Sequence, residues 1–186
     1  MTDTRQVTEP WNSEFERFYL EHYGRVVSVL FRLTANRIEA DELAQEVFWK
    51  LYRRQLLPSS DGNVAGWLYR TATNLGIDAL RREVRRRDYE HQAARAAAQN
   101  APAGGPLDEL VRDEKRRRVR QVLARLKPVQ AQALILRAGG FSYHEVAAAL
   151  RVKRVSVGTL LLRAEQAFRN HYRAAGKDNR QEEEAL

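Results

Sequence analysis

Apolar residues recur at three- and four-residue steps along most of the chain, the spacing of helices with one buried face. Phe15, Phe18, Tyr19, Val26, Val27, Leu30 and Phe31 mark the first such stretch. Ser13, followed three residues later by Glu16, has the form of a capping box and predicts the helix start. A second helix is predicted over residues 38–54, with Leu43, Val47, Phe48, Leu51 and Tyr52 on one face. Its early turns carry Glu39, Asp41, Glu42 and Glu46, where the positive helix end favours carboxylates. Residues 57–63, with Pro58, Ser59, Ser60, Asp61 and Gly62, break the pattern and read as a loop. A third helix over residues 64–87 buries Trp67, Leu68, Thr71, Ala72, Leu75 and Leu80.

The pattern then lapses. An Ala-rich polar run leads into Pro102, Gly104, Gly105 and Pro106, which hold neither helix nor central strand. It resumes with Leu110, Val111, Val119, Val122, Leu123 and Leu126. Pro128 suits the first position of the next helix, and Gly139–Gly140 its end. Ser142 and Glu145 form a second capping box before a short helix, a turn, and a longer helix over residues 155–172. Val and Ile nowhere alternate with polar residues over a useful length, so no strand is expected. The fold class read from the pattern is all-α, two small helical domains joined by a flexible linker. The expected divisions are a disordered N-terminus (1–12), a helical domain (13–90), a linker (91–107), a second domain with a helix-turn-helix (108–175) and a disordered tail (176–186).

Composition narrows the function. Among 186 residues, 32 Lys and Arg outweigh 24 Asp and Glu, a net charge of +8, which points to nucleic acid or an anionic surface as partner. The absence of cysteine excludes a disulfide scaffold and thiolate-ligated metal sites. No apolar run approaches the ~20 residues that span a bilayer, and residues 1–11 lack the form of a signal peptide. A cytoplasmic protein without membrane insertion is expected. His22, His91, His144 and His171 have no partner at metal-ligand spacing, and there is no phosphate loop or nucleophile elbow. No enzyme activity, cofactor or metal is therefore expected.

The sharpest local signal is Ser142-Tyr-His-Glu-Val-Ala-Ala-Ala-Leu150 followed by Arg151-Val-Lys-Arg-Val-Ser-Val-Gly-Thr-Leu160. A capped helix, small Ala147 at a close crossing, a short turn and a second helix rich in basic residues have the spacing of a helix-turn-helix. Its second helix fits a major groove about 12 Å wide. A second signal is the basic run Arg70, Arg81, Arg82, Arg85, Arg86 and Arg87 beside Trp67, Tyr69, Thr73 and Asn74, residues that can stack on or hydrogen-bond exposed bases. A third, Lys115 to Arg120, reads equally as a solvated face or a phosphate contact.

With these residues in place the chain resembles bacterial RNA polymerase sigma factors of the extracytoplasmic-function type. Ala40-Asp-Glu-Leu-Ala-Gln-Glu-Val-Phe48 resembles the family's polymerase-binding segment. Residues 66–82, from Gly-Trp-Leu-Tyr-Arg to Ala-Leu-Arg-Arg, resemble its promoter −10 helix. Residues 126–137 resemble the start of its second conserved domain, and 141–163 its helix-turn-helix. The four occur in the family's order over roughly residues 14–88 and 108–172. The resemblance implies a sigma factor that directs promoter-specific initiation. Asp41, Glu42, Gln45, Glu46 and Phe48 would bind the clamp helices of the polymerase's largest subunit, with the flap region as a second contact. Trp67, Arg70, Asn74, Asp78, Arg81, Arg82 and Arg85 would engage the −10 element, with the 57–63 loop as a pocket for an extruded base. Lys153, Arg154, Ser156, Thr159 and Arg163 would read the −35 duplex. An anti-sigma factor is a further implied partner.

Two departures from the family pattern stand out. Gly158 and Leu160 occupy positions that usually carry Lys or Arg, and Leu160–Leu162 are apolar where donors are expected. Arg151 stands at a turn position that is often Gly, where a left-handed backbone costs about 1–2 kcal/mol, so a local change of the turn is expected. A stand-alone helix-turn-helix regulator is the alternative reading, and it leaves Asp41–Glu46 without a role. A helical interaction protein with no DNA role is a third.

Overall fold

A computed structural model describes residues 8–56, 63–97 and 107–183. The elements are α1 (Thr8–Thr34), α2 (Arg37–Arg53), α3 (Val64–Ala97), α4 (Leu107–Arg125), α5 (Pro128–Ala138), α6 (Tyr143–Leu150), a 3-10 turn (Arg154–Ser156) and α7 (Val157–Glu183). Among the described residues there is no strand, as the periodicity implies. The centre of the expected linker, the 57–62 loop and both extreme termini lie outside the described residues.

Several helix ends differ from the sequence expectation, each for a local reason. α1 begins at Thr8, so Ser13 and Glu16 lie within it and do not start it. Trp11 carries the apolar face upstream, stacked 5.1 Å from Phe15 and edge-on 4.7 Å from Tyr52. Asn36, not singled out by the pattern, caps α2 by accepting from the N–H groups of Ile38 and Glu39. α3 continues to Ala97, supported where it is exposed by ion pairs of Glu83 with Arg86 and Arg87 and of Arg86 with Glu90. α7 continues to Glu183. Near its expected end Ala175 is buried, and Arg118 lies over the Tyr172 ring and donates to the Tyr172 carbonyl. The turn after α6 keeps the left-handed form with Arg151 at φ 55° and ψ 43°. The strain is tolerated because the Val152 N–H closes the helix end on the Ala147 carbonyl at 3.1 Å.

α1, α2 and α3 bury Val26, Leu30, Leu33, Leu51, Leu68, Ile77 and Leu80, and α4 to α7 bury Leu126, Leu136, Phe141, Val157 and Ala164. α3 belongs to both assemblies: one side packs on α1 and α2, the other on α4, α5 and α6. Phe31 and Tyr52, read from the pattern as core, are 46% and 43% exposed, because each sits at the edge of its helix's apolar arc.

The seam between the two assemblies is polar and aromatic. The Tyr69 ring meets Phe141 edge-on at 4.5 Å, and the Arg25 guanidinium lies 4.2 Å from the Phe141 ring centre. Arg25 also pairs with Glu145 at 2.9 Å. His22 Nδ1 and the Tyr69 hydroxyl are 2.8 Å apart. The Asn63 amide donates to the Ala148 carbonyl, while its oxygen accepts the Gly66 N–H and so caps α3. Burial pushes the Tyr69 hydroxyl up to about 12 and holds the His22 imidazole below its ordinary value. Burial works to raise the Glu145 carboxyl, but the Ser142 N–H and hydroxyl together with Arg25 keep it low.

Two outcomes follow from this packing. A Cβ on Gly76 would lie 2.5 Å from Leu33 Cδ1, inside the α1–α3 contact. Gly76→Ala is expected to lower unfolding stability by about 1–3 kcal/mol in urea titration, although Ala is the better helix former by about 1 kcal/mol. His22 faces Glu21, Arg25, Glu145 and Tyr69 and is held neutral. Its folded-state value lies below 6.5, so the unfolded chain takes up the proton first. The stability linked to it is complete above the unfolded value of about 6.5 and declines as the pH falls towards the folded one. Thermal unfolding should show a drop in melting temperature between pH 7.5 and 5.5, shallower in His22→Gln.

Candidate functional site

Three surfaces carry the residues singled out in the sequence. The first is a groove of about 560 Å³ between α1 and α2, lined by Phe15, Tyr19, Glu42, Gln45, Glu46, Phe48, Trp49 and Tyr52. Glu42, Gln45 and Glu46 are exposed on its rim, with Glu46 paired to Lys50 at 2.7 Å. Asp41 is half-buried beside the groove, accepting from the Tyr23 hydroxyl at 3.2 Å and from Arg37 Nε at 2.9 Å. Phe48 is not a surface contact. It is 3% exposed and forms the floor, packed among Phe15, Tyr19 and Tyr23. Its place at the surface is taken by Trp49 and Tyr52, stacked 5.9 Å apart and both exposed. The result is an aromatic strip bordered by carboxylates and one amide.

The second surface is α3. At 100° per residue, Trp67, Arg70, Asn74, Asp78, Arg81, Arg82 and Arg85 fall within an arc of roughly 120°. They therefore share one face of one helix. Asp78, Arg82 and Arg85 are exposed on it, and Arg70 and Trp67 are half-buried. Arg54 sits 5.3 Å from the Trp67 ring centre. Two members at one edge are held by the C-terminal half. Asn74 Oδ1 accepts from Gln132 Nε2 at 2.6 Å, and Arg81 donates to the carbonyls of Ala124 and Leu126 at 3.1 and 3.0 Å. Arg86 and Arg87, part of the same basic run, point to Glu83 and Glu90 instead. The loop read as a base pocket lies outside the described residues, apart from Asn63 at its end.

The third surface is built by α6, the 3-10 turn and the start of α7. Val146, Ala147, Ala149 and Leu150 of α6 are buried, as are Val157, Leu161 and Ala164 of α7. That leaves Lys153, Arg154, Ser156, Thr159 and Arg163 exposed together. Val155 and Leu162 are exposed among them at 86% and 64%. Of the apolar trio, Leu161 is core, Leu160 is half-buried and Leu162 faces outward. Gly158 is not demanded by crowding, since a Cβ there would meet only Tyr143 at 3.8 Å. A further apolar groove of about 500 Å³ lies between α4, α5 and α7, lined by Val119, Leu123, Leu134, Ile135, Ala138 and Phe168 with Arg32, Glu165 and Arg169 at its rim.

Gln132, Arg25, Asn63, Trp49 and Asn36 carry much of this geometry and were missed in the sequence. Asn36 before an apolar-periodic run is a cap signal that was available. The contacts of Gln132 and Arg25 are long-range and had no local signal. Among the described residues no cluster of His, Asp and Glu is arranged to hold a metal, and no helix is long and apolar enough to cross a membrane.

Comparison with known proteins matches two regions of the chain to family models. The family model for sigma-70 region 2 matches residues 18–86, and that for sigma-70 region 4 matches 116–168. The chain is 31% identical over 154 residues to the ECF RNA polymerase sigma factor SigE of Mycolicibacterium smegmatis, covering 81% of this chain and 58% of that protein. It thus spans a little over half the length of that relative. It is 28% identical over 166 residues to the RNA polymerase sigma factor YlaC of Bacillus subtilis, covering 89% and 95% of the two chains. A solved structure of the sigma factor RpoE with the anti-sigma factor NepR from Bartonella quintana is similar at 21% identity and a TM-score of 0.48, covering 86% of this chain and 96% of that one. The two matched regions coincide with the α1–α3 and α4–α7 assemblies, in the order the resemblance requires, and the chain belongs to the sigma-70 family of RNA polymerase sigma factors, in its extracytoplasmic-function group.

Proposed function

We propose that this chain binds core RNA polymerase and directs promoter-specific initiation by recognising −10 and −35 elements. The observation that carries the reading is the segregation of charge: a carboxylate-rimmed aromatic groove on α1–α2, and two basic faces on α3 and α7. One face alone fits many binding modules. The three together fit a protein that bridges a basic helical partner and DNA.

In this reading Glu42, Gln45 and Glu46 meet the clamp helices of the largest subunit, and Trp49 and Tyr52 supply the apolar contact. Asp41, tied to Arg37 and Tyr23, fixes the rim. The groove of α4, α5 and α7 suits an apolar segment of the flap region. Asn74 and Trp67 address unpaired bases of the −10 element, and Arg70, Arg81, Arg82 and Arg85 hold phosphates. Lys153, Arg154, Ser156, Thr159 and Arg163 enter the −35 major groove. The work is binding and strand separation, so no cofactor, metal or catalytic group is assigned, and the site of action is the cytoplasm. An anti-sigma factor, which the family commonly has, is a further proposed partner. A stand-alone regulator is disfavoured by the α1–α2 groove, which such a protein has no use for.

Asp41→Ala combined with Gln45→Ala is expected to reduce co-elution with core polymerase on gel filtration by at least tenfold in apparent affinity, with helical content and promoter-duplex binding unchanged. Equal loss of both activities would contradict the assignment. Gly158→Lys is expected to keep the fold and to strengthen duplex binding. The plot of log affinity against log salt should steepen by about 0.9, one phosphate contact, in fluorescence anisotropy.

A further inference from the structure

The face of α7 assigned to DNA carries two side chains that its charge does not explain. Val155 is 86% exposed, more than Leu20, Ile38 or Tyr89, and Leu162 is 64% exposed. Their placement follows from the fold. Val157, Leu161 and Ala164 are buried and fix the rotation of α7, which at 100° per residue turns Thr159 and Leu162 outward. Val155 sits in the 3-10 turn, which is closed by the Ser156 N–H on the Lys153 carbonyl at 2.9 Å and by the Val157 N–H on the Arg154 carbonyl. A β-branched side chain on a hydrogen-bonded turn has few rotamers to lose on contact. Gly158 lies about one turn from Val155 and one from Leu162, and leaves bare backbone between them.

Two apolar side chains are too small a patch for a protein partner, since a standard interface buries about 800 Å² on each side. The surrounding charge points elsewhere. Lys153, Arg154 and Arg163 are exposed around the pair, and Glu165, the first carboxylate along α7, is paired with Arg169 at 3.4 Å. Apolar groups ringed by cations match a surface that sets methyl groups between phosphates. In duplex DNA that group is the C5 methyl of thymine, which lies in the major groove and is read by apolar contact. Gly158 has no side chain and Leu160 is half-buried, so neither supplies a donor to a purine.

We propose that Val155 and Leu162 read thymine methyl groups in the −35 duplex, so that this chain selects its −35 element by methyl contact where donors at 158 and 160 are missing. The two side chains are two turns of helix apart, about 10 Å, and address different base pairs. Lys153, Arg154, Ser156, Thr159 and Arg163 supply the hydrogen bonds around them. The proposal rests on the assignment of α7 to the −35 duplex.

Deoxyuridine isolates the contact, because it lacks only the methyl group of thymidine and keeps its hydrogen-bonding groups. Promoter fragments mapped by run-off transcription are made with single thymidine-to-deoxyuridine replacements on either strand of the −35 element. Each is titrated with the complex of core polymerase and the full-length chain. At two or more thymines the replacement is expected to weaken binding about fourfold, the effect of burying one methyl-sized group. Val155→Ala removes the sensitivity at one of these thymines and Leu162→Ala at another. Both positions are exposed, so the substitutions leave the core intact. Equal binding of thymidine and deoxyuridine throughout the −35 element, penalties that persist unchanged in both variants, or a −35 element without thymine overturns the proposal. In each of those cases the complex still binds and transcribes the promoter, whereas failure of the functional reading leaves no promoter-specific complex to titrate.

Discussion

The packing of α3 from both sides is the constraint on which the rest depends. One helix closes the core of α1 and α2 through Leu68, Ala72, Ile77 and Leu80. The same helix presents Tyr69, Thr73, Asn74 and Arg81 to α4, α5 and α6. What remains uncovered is a narrow basic strip. Helical periodicity makes this division sharp: at 100° per residue, a face buried on two sides leaves only about a third of the circumference for another role. Gly76 shows how tight the first contact is, since a methyl group there would require the buried Leu33 side chain to shift.

Local rules explain the ends of the elements and the long-range seam explains their arrangement. The Ser142–Glu145 capping box is complete, with both reciprocal hydrogen bonds formed. Glu145 then does a second task, pairing with Arg25 across the seam. Asn63 is similar, capping α3 with its oxygen and fastening α6 with its amide. Residues with such double duty make the two halves sensitive to one another, and the buried apolar residues of both halves form one continuous cluster.

Much of this was legible in the sequence. The all-α class, α5 between Pro128 and the Gly139 cap, and the helix-turn-helix spacing all follow from period, caps and breakers. The common face of Trp67 to Arg85 follows from counting alone. What was not legible has physical causes. Phe48 and Tyr52 are both aromatic on one helix, and only the position of α1 decides that the first is floor and the second rim. Arg151 was expected to disturb its turn, but the hydrogen bond that ends α6 outweighs the left-handed strain. The roles of Arg25 and Gln132 depend on partners 120 and 58 positions away, which no local pattern encodes.

In the proposed function, charge of two signs is placed so that one chain links a polymerase to a promoter. Run-off transcription with purified core enzyme, followed by sequencing of the 5′ ends, tests this most directly. Addition of the chain should yield discrete transcripts whose start sites share upstream sequence at two spaced elements. Transcripts indistinguishable from those of core enzyme alone, with no association between the chain and the core, would contradict it.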